Sequence, residues 1–135
     1  MRFLDRDINL KGISPLTLSF IGDSVYELLV REKLVCEANR PVGVLSDEKV
    51  HMVNCKAQAL VIESLLPYLT EEETDIYKRG KNAHTTTVPK NARNIDYHRA
   101  TGLEALFGYI YLKGDIDRLR ELFCLSEKLT GESSQ

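Results

Sequence analysis

"LSFIGDSVYELLV", residues 18–30, decides the fold class. Its apolar residues Phe20, Ile21, Val25, Leu28 and Leu29 recur at helical spacing rather than alternating, so the stretch reads as the middle of a buried helix. Asp23 and Glu27 lie among them, and a carboxylate in that setting costs free energy unless something compensates it. Ser14-Pro15 starts the helix, with a side-chain oxygen for capping followed by a proline whose missing N–H is not needed there. The helical pattern continues to about Val35 and stops at the loop residues Asn39-Arg40-Pro41 and Gly43.

The same period continues outward from this helix. Ser46, Asp47 and Glu48 are expected to open a second helix, with Val50, Val53, Ala57, Leu60 and Val61 as its apolar positions and Pro67 marking its end. Thr70-Glu71-Glu72-Glu73 is a capping box for a third helix that holds Ile76 and Tyr77 and stops at Arg79-Gly80. Residues 80–95, GKNAHTTTVPKNARNI, show neither period and read as a surface loop. A fourth helix is expected from about Asp96 to Leu112, striped by Leu103, Leu106, Phe107 and Ile110. Gly114 separates it from a last helix at about 115–128, and residues 128–135 are expected to form a disordered tail. No segment alternates with period two for long enough to make a strand. The expectation is an all-α fold in a single domain spanning residues 1–135.

Composition narrows the function classes. No run approaches the length of a membrane span, and MRFLDRDINLKGIS lacks the apolar core of a signal peptide. Cys36, Cys55 and Cys124 are odd in number and widely spaced, which favours free thiols in a reducing cytoplasm. His51 and Cys55 share one expected helix at i, i+4, but two further ligands for a zinc are missing. The net charge is −2, yet Lys78 to Arg99 carries six cations against one anion and leaves the remainder strongly acidic. A cationic segment on an acidic body attracts a polyanion locally.

Asp23 and Glu104 have matching surroundings, FIG-D-SVY and TGL-E-ALFG, each with small residues beside the acid. If their helices pack together, both carboxylates converge on one pocket. Two ionised carboxylates at short range call for a shared proton or a cation between them, and Mg2+ suits few carboxylates plus waters and phosphate oxygens. A salt bridge from Asp23 to an unseen Lys or Arg is the structural alternative, as is an i, i+4 pair of Glu27 with Arg31. The basic loop divides in the same way. Its lysines, arginines, asparagines and threonines suit phosphate contacts, or they are a solvated face balancing the acidic body.

Taken together, the two acidic motifs resemble the signatures of the ribonuclease III family. IGDSVYE and RGKNAHTTTVPKN, on a lone catalytic domain, are similar to its short bacterial Mini-III branch. The resemblance covers roughly Ser14 to Phe123. It implies that Asp23 and Glu104 are catalytic acids holding Mg2+, with Mn2+ as a substitute. Ser19, Leu16 and Thr101 stand where longer relatives carry further acids. It further implies hydrolysis of double-stranded RNA with 5′-phosphate products, a homodimer, and maturation of large-subunit (23S) ribosomal RNA precursor in the bacterial cytoplasm; a large-subunit ribosomal protein is a candidate partner whose need the sequence leaves open. Lys78, Arg79, Lys81, Asn82, Lys90, Arg93 and Arg99 are then the residues expected to grip the duplex. A rival expectation is a non-catalytic double-stranded-RNA-binding or ribosome-assembly module on the same fold, favoured by the missing acids.

Overall fold

Six α-helices and two short 3-10 turns, with no strand, make up the described residues, which are 1–83 and 94–131 of a computed structural model. The helices are α1 (Pro15–Glu37), α2 (Val42–Val53), α3 (Cys55–Leu65), α4 (Glu71–Lys81), α5 (Asn94–Lys113) and α6 (Ile116–Gly131). α5 is the axis of the fold. It packs most extensively on α1, then on α4 and α3, and α6 closes the far side against α3 and α5. Accordingly α5 is buried almost all round, at Ala100, Thr101, Gly102, Leu103, Ala105, Leu106, Phe107, Gly108 and Ile110. A helix with that pattern belongs in the interior, and the all-α expectation holds.

The core is made where these helices meet. Phe107, Ile62, Leu65, Leu103, Leu106, Leu122 and Val30 are fully buried, and each such side chain contributes about 1.5–3 kcal/mol by leaving water. The Tyr26 ring stands edge-on to Phe107 and Phe123, with centroids 5.3 and 6.0 Å apart, and so ties α1 to α5 and α6. Arg118 of α6 clamps the start of α4: its Nε and Nη2 donate to Glu73 Oε2 and Oε1 at 2.8 and 2.7 Å. Burial works against the Glu73 charge, yet the Arg118 and Thr70 hydrogen bonds hold its carboxyl below its ordinary value. The capping box read from the sequence is present in full, since Thr70 N–H donates to Glu73 Oε1 and Glu73 N–H donates to Thr70 Oγ1.

Besides shifts of one or two residues at the end of α4 and the start of α5, three boundaries differ from expectation. The single helix expected from Ser46 to Pro67 is two helices, α2 and α3, broken at Asn54. Asn54 serves both ends of the break: its Nδ2 donates to Val50 O at 3.0 Å and its Oδ1 accepts from Ala57 N–H at 2.9 Å. The apolar spacing runs across it unchanged, which is why periodicity alone read one helix. α2 also begins earlier, at Val42, because Pro41 occupies the position before the first turn and takes Gly43 into the helix. α6 continues to Gly131, where Thr130 Oγ1 donates back to Ser126 O at 2.7 Å. Residues 132–135 lie outside the described residues. α5 ends as expected at Gly114, whose φ of 86° lets Gly114 N–H and Asp115 N–H reach back to Tyr111 O and Ile110 O.

Candidate active site

α1 and α5 cross at two glycines, and that crossing creates the site. A Cβ on Gly22 would lie 1.6 Å from Glu104 O, and one on Gly108 would lie 2.1 Å from Leu18 O. Only glycine at both places lets the backbones touch. Asp23 follows Gly22 directly, so its side chain leaves α1 at the edge of the contact, beside Glu104.

This corrects one expectation. Asp23 is exposed, not buried, because the inward stripe of α1 is Leu18, Ser19, Gly22, Tyr26, Val30 and Leu34. The apolar neighbours that made Asp23 read as buried include Phe20, which is 81% exposed, and Leu28, also exposed. The acid that is substantially covered is Glu104. Burial first, then the hydrogen bond and negative charge of Asp23, push the Glu104 carboxyl from its ordinary 4.5 up to about 8. Hydrogen bonds from Ser19 and Gln58 act in the opposite sense. Ser19 Oγ donates to Glu104 Oε1 at 3.1 Å.

The arrangement is therefore a carboxyl pair spanning α1 and α5, with neutral donors from α1 and α3 behind one member. Asp23 and Glu104 could hold a divalent cation: a positive charge would relieve the cost of ionising the covered Glu104 beside Asp23, and Mg2+ takes few protein carboxylates. Among the described residues no group of three or more His, Cys, Asp and Glu is placed to hold a metal, so most other ligands would be waters or substrate oxygens. The break at Asn54 separates His51 from Cys55, which ends the shared helical face that a zinc pair would have needed.

The remaining sequence candidates fall in distinct places. Glu27 is engaged by Arg31, with both N···O contacts 3.1 Å, and by Lys49 at 3.5 Å, as the i, i+4 alternative expected. Thr101 is buried and its hydroxyl donates at 3.0 Å to Tyr97 O on its own helix, so it adds no donor to the pair. Leu16 lies on the exposed surface of α1. Lys78, Arg79 and Lys81 form the last turn of α4, with Asn82 as its cap. A second close crossing, at Gly80 against Ala105 and Gly102, packs this end of α4 on α5. Among the described residues no carboxylate pairs with these three cations, and Lys81 Nζ stands 6.0 Å over the Tyr77 ring. Arg99 differs, since its Nη1 is ion-paired with Glu63 of α3. Lys90 and Arg93 lie outside the described residues.

Sequence reasoning missed Gln58, and it considered Cys55 as a free thiol or half of a zinc pair but not as a neighbour of Glu104. Cys55 opens α3 close enough to Glu104 and Asp96 that burial and both negative charges push its thiol up. Gln58 was detectable, because a lone amide in the apolar run AQALVI raises the question that Asp23 raised.

Known proteins similar to this chain show its family. The model of the ribonuclease III domain matches residues 16–115, from the start of α1 to just past α5. Mini-ribonuclease 3 of Thermoanaerobacter sp. (strain X514) is 45% identical over 121 residues, covering 90% of this chain and 85% of that protein. Mini-ribonuclease 3 of Enterococcus faecalis is 39% identical over 127 residues, covering 93% and 96%. The crystal structure of a Fusobacterium nucleatum protein superposes with a TM-score of 0.80 at 28% identity, covering 93% of this chain and 99% of that one. The chain belongs to the ribonuclease III family, in its Mini-ribonuclease 3 branch.

Proposed function

We propose that this protein is a divalent-cation-dependent endoribonuclease that hydrolyses phosphodiester bonds in double-stranded RNA. The observation that carries the reading is the meeting of Asp23 and Glu104 across a glycine-to-glycine helix crossing, on the helix against which the cationic end of α4 also packs. Each part has a task that its chemistry suits. Asp23, exposed, presents its carboxylate to solvent and substrate. Glu104 sits deeper and supplies the second oxygen donor. Bound between them, Mg2+ (or Mn2+ in its place) would activate a water and stabilise charge on the scissile phosphate.

Lys78, Arg79 and Lys81, with Asn82, Lys90 and Arg93, would track phosphates. A-form RNA is recognised chiefly through its shape, its phosphates and its 2′-hydroxyls. Such contacts position a duplex without reading its sequence. Arg99 belongs to this set only if RNA displaces Glu63 from it. One carboxyl pair cuts one strand, so cutting both calls for a second copy. The bare aromatic ring of Phe20 with Leu16 one turn earlier, both exposed beside Asp23, supports a homodimer along α1. Products with 5′-phosphates, a large-subunit (23S) ribosomal RNA precursor as substrate and a cytoplasmic setting follow from the family resemblance, and a large-subunit ribosomal protein is a candidate partner. No helix among the described residues is long and apolar enough to cross a membrane.

A gel assay of duplex RNA with and without Mg2+ tests the reading. Cleavage is expected from the parent and not from Asp23→Asn or Glu104→Gln, with all three showing the same circular dichroism. Parental rates in both variants would mean that the carboxyl pair is not the site. The reduced acidic set at Ser19, Leu16 and Thr101 favours one rival, a non-catalytic RNA-binding module. Duplex binding without cleavage in either Mg2+ or Mn2+ would establish that rival.

A further inference from the structure

Two buried polar side chains remain beside the site that the proposed chemistry does not itself use. Ser19 is 8% exposed on α1 and its Oγ donates to Glu104 Oε1 at 3.1 Å; Gln58 is 2% exposed on α3, which packs on α5, and its amide favours the charged form of Glu104. Burying a hydroxyl or an amide costs about 1–3 kcal/mol when it lacks a partner, so such residues persist where their bonds matter. Neither position needs polarity for packing. Gln58 lies among Ala59, Val61 and Ile62, all buried and apolar, where an aliphatic side chain would fill the same volume.

We propose that Ser19 and Gln58 are positioning residues that hold the Glu104 carboxylate against Asp23, so that the pair binds a divalent cation without a third acid. The inference rests on the reading of Asp23 and Glu104 as the catalytic pair. Its physical content lies in the neutrality of both donors. A lysine or arginine at either place would neutralise Glu104 as an ion pair and compete with the cation. A third carboxylate would add repulsion to a pair already under strain. A hydroxyl and an amide restrict where the carboxylate points and leave its negative charge available. Because the donors come from α1 and α3, three helices must hold their packing for the pair to be preset.

The test uses the full chain and its Ser19→Ala and Gln58→Met variants. Mn2+ binding is measured by titration calorimetry without RNA, duplex-RNA cleavage across a Mn2+ series, and thermal melting without metal. Loss of a group that orients a metal ligand typically weakens affinity about 10–100-fold, so each variant should bind Mn2+ about tenfold more weakly. Cleavage at low Mn2+ should fall in step, recover as Mn2+ is raised, and leave the KM for RNA unchanged. Simple core damage would lower the melting temperature without moving the Mn2+ dissociation constant. Parental Mn2+ affinity in both variants overturns the inference. Should Gln58→Met fail to fold, Ser19→Ala, which removes a single hydroxyl, decides the matter alone. A parent that binds no Mn2+ and cuts no RNA overturns the catalytic reading and this inference with it. A parent that binds and cuts, with variants that match it, overturns the positioning roles only.

Discussion

Replacing Gly22 with alanine is the sharpest test of how the site is built. The added Cβ would lie 1.6 Å from Glu104 O and 2.9 Å from Gly108 N, whereas ordinary contact begins at 3.4 Å. Both obstructing atoms belong to the α5 backbone, so no side chain can rotate aside. α5 cannot retreat either, because its opposite face is held at Gly102 against Tyr77 and at Ala105 against Gly80. The crossing must open by roughly 2 Å, in an interior packed as densely as a crystal. Ordinary overpacking costs about 1–3 kcal/mol, and a backbone obstruction on a clamped helix belongs at or above the top of that range. About 3 kcal/mol in a domain of this size lowers the melting temperature by about 10 °C. Cleavage should be lost even below that temperature, since Asp23 moves away from Glu104 as the helices part. Gly43→Ala is the matched control, because nothing lies within 4 Å of its Cβ position; in a helix that change stabilises by up to about 1 kcal/mol. Calorimetric melting decides between these outcomes. A Gly22→Ala protein that melts with the parent and cuts RNA would refute the glycine-crossing account of the site.

The other predictions concern charge. Without metal, the folded protein holds the Glu104 proton up to about pH 8, while the unfolded chain releases it near 4.5. Stability from this group is therefore present at low pH and is lost as pH rises through that window; melting across it should show a downward slope that Glu104→Gln removes, and an identical slope in the variant would sink the assignment. Arg118→Met strands the buried Glu73 carboxylate and should cost about 3 kcal/mol in denaturant melts; a loss below about 1 kcal/mol would class the clamp with surface ion pairs. Alanine at Lys78, Arg79 and Lys81 together should lower duplex-RNA affinity for every sequence and reduce the salt slope by about 2–3. An unchanged slope means that the last turn of α4 is merely solvated. Phe20→Glu should convert dimer to monomer in sedimentation while leaving the monomer's melting intact, because the ring is 81% exposed; an unaltered sedimentation profile would remove α1 from the dimer reading.

What the sequence showed and what it hid follow from the same physics. Helical periodicity reports which residues share a face, so α1, α4, α5 and α6 were legible from their stripes and caps. It does not report where one helix hands over to the next when the stripe continues through the break, and Asn54 hides its double capping inside an unbroken apolar pattern. The pairing of Asp23 with Glu104 was legible from matching neighbours, but the reason given for it was partly mistaken. Apolar neighbours in sequence imply burial only if all of them face inward, and on α1 they do not: Phe20 and Leu28 face out with Asp23 between them.

The small residues were the more reliable signal. Gly22 and Gly108 set how closely two backbones approach, and the approach sets where the carboxylates lie. Gly80 and Gly102 repeat the device one helix further on and pack the end of α4 closely on α5. The acids and lysines name the chemistry, but the four glycines place it. Gln58 completes this logic from the opposite direction: it is a buried polar residue in an apolar run, and its amide favours the charged form of Glu104. If the site worked by accumulating negative charge, Ser19 and Gln58 would be wasted polar groups in an apolar core. If it works by holding one carboxylate still beside another, they are what allows two acids to suffice.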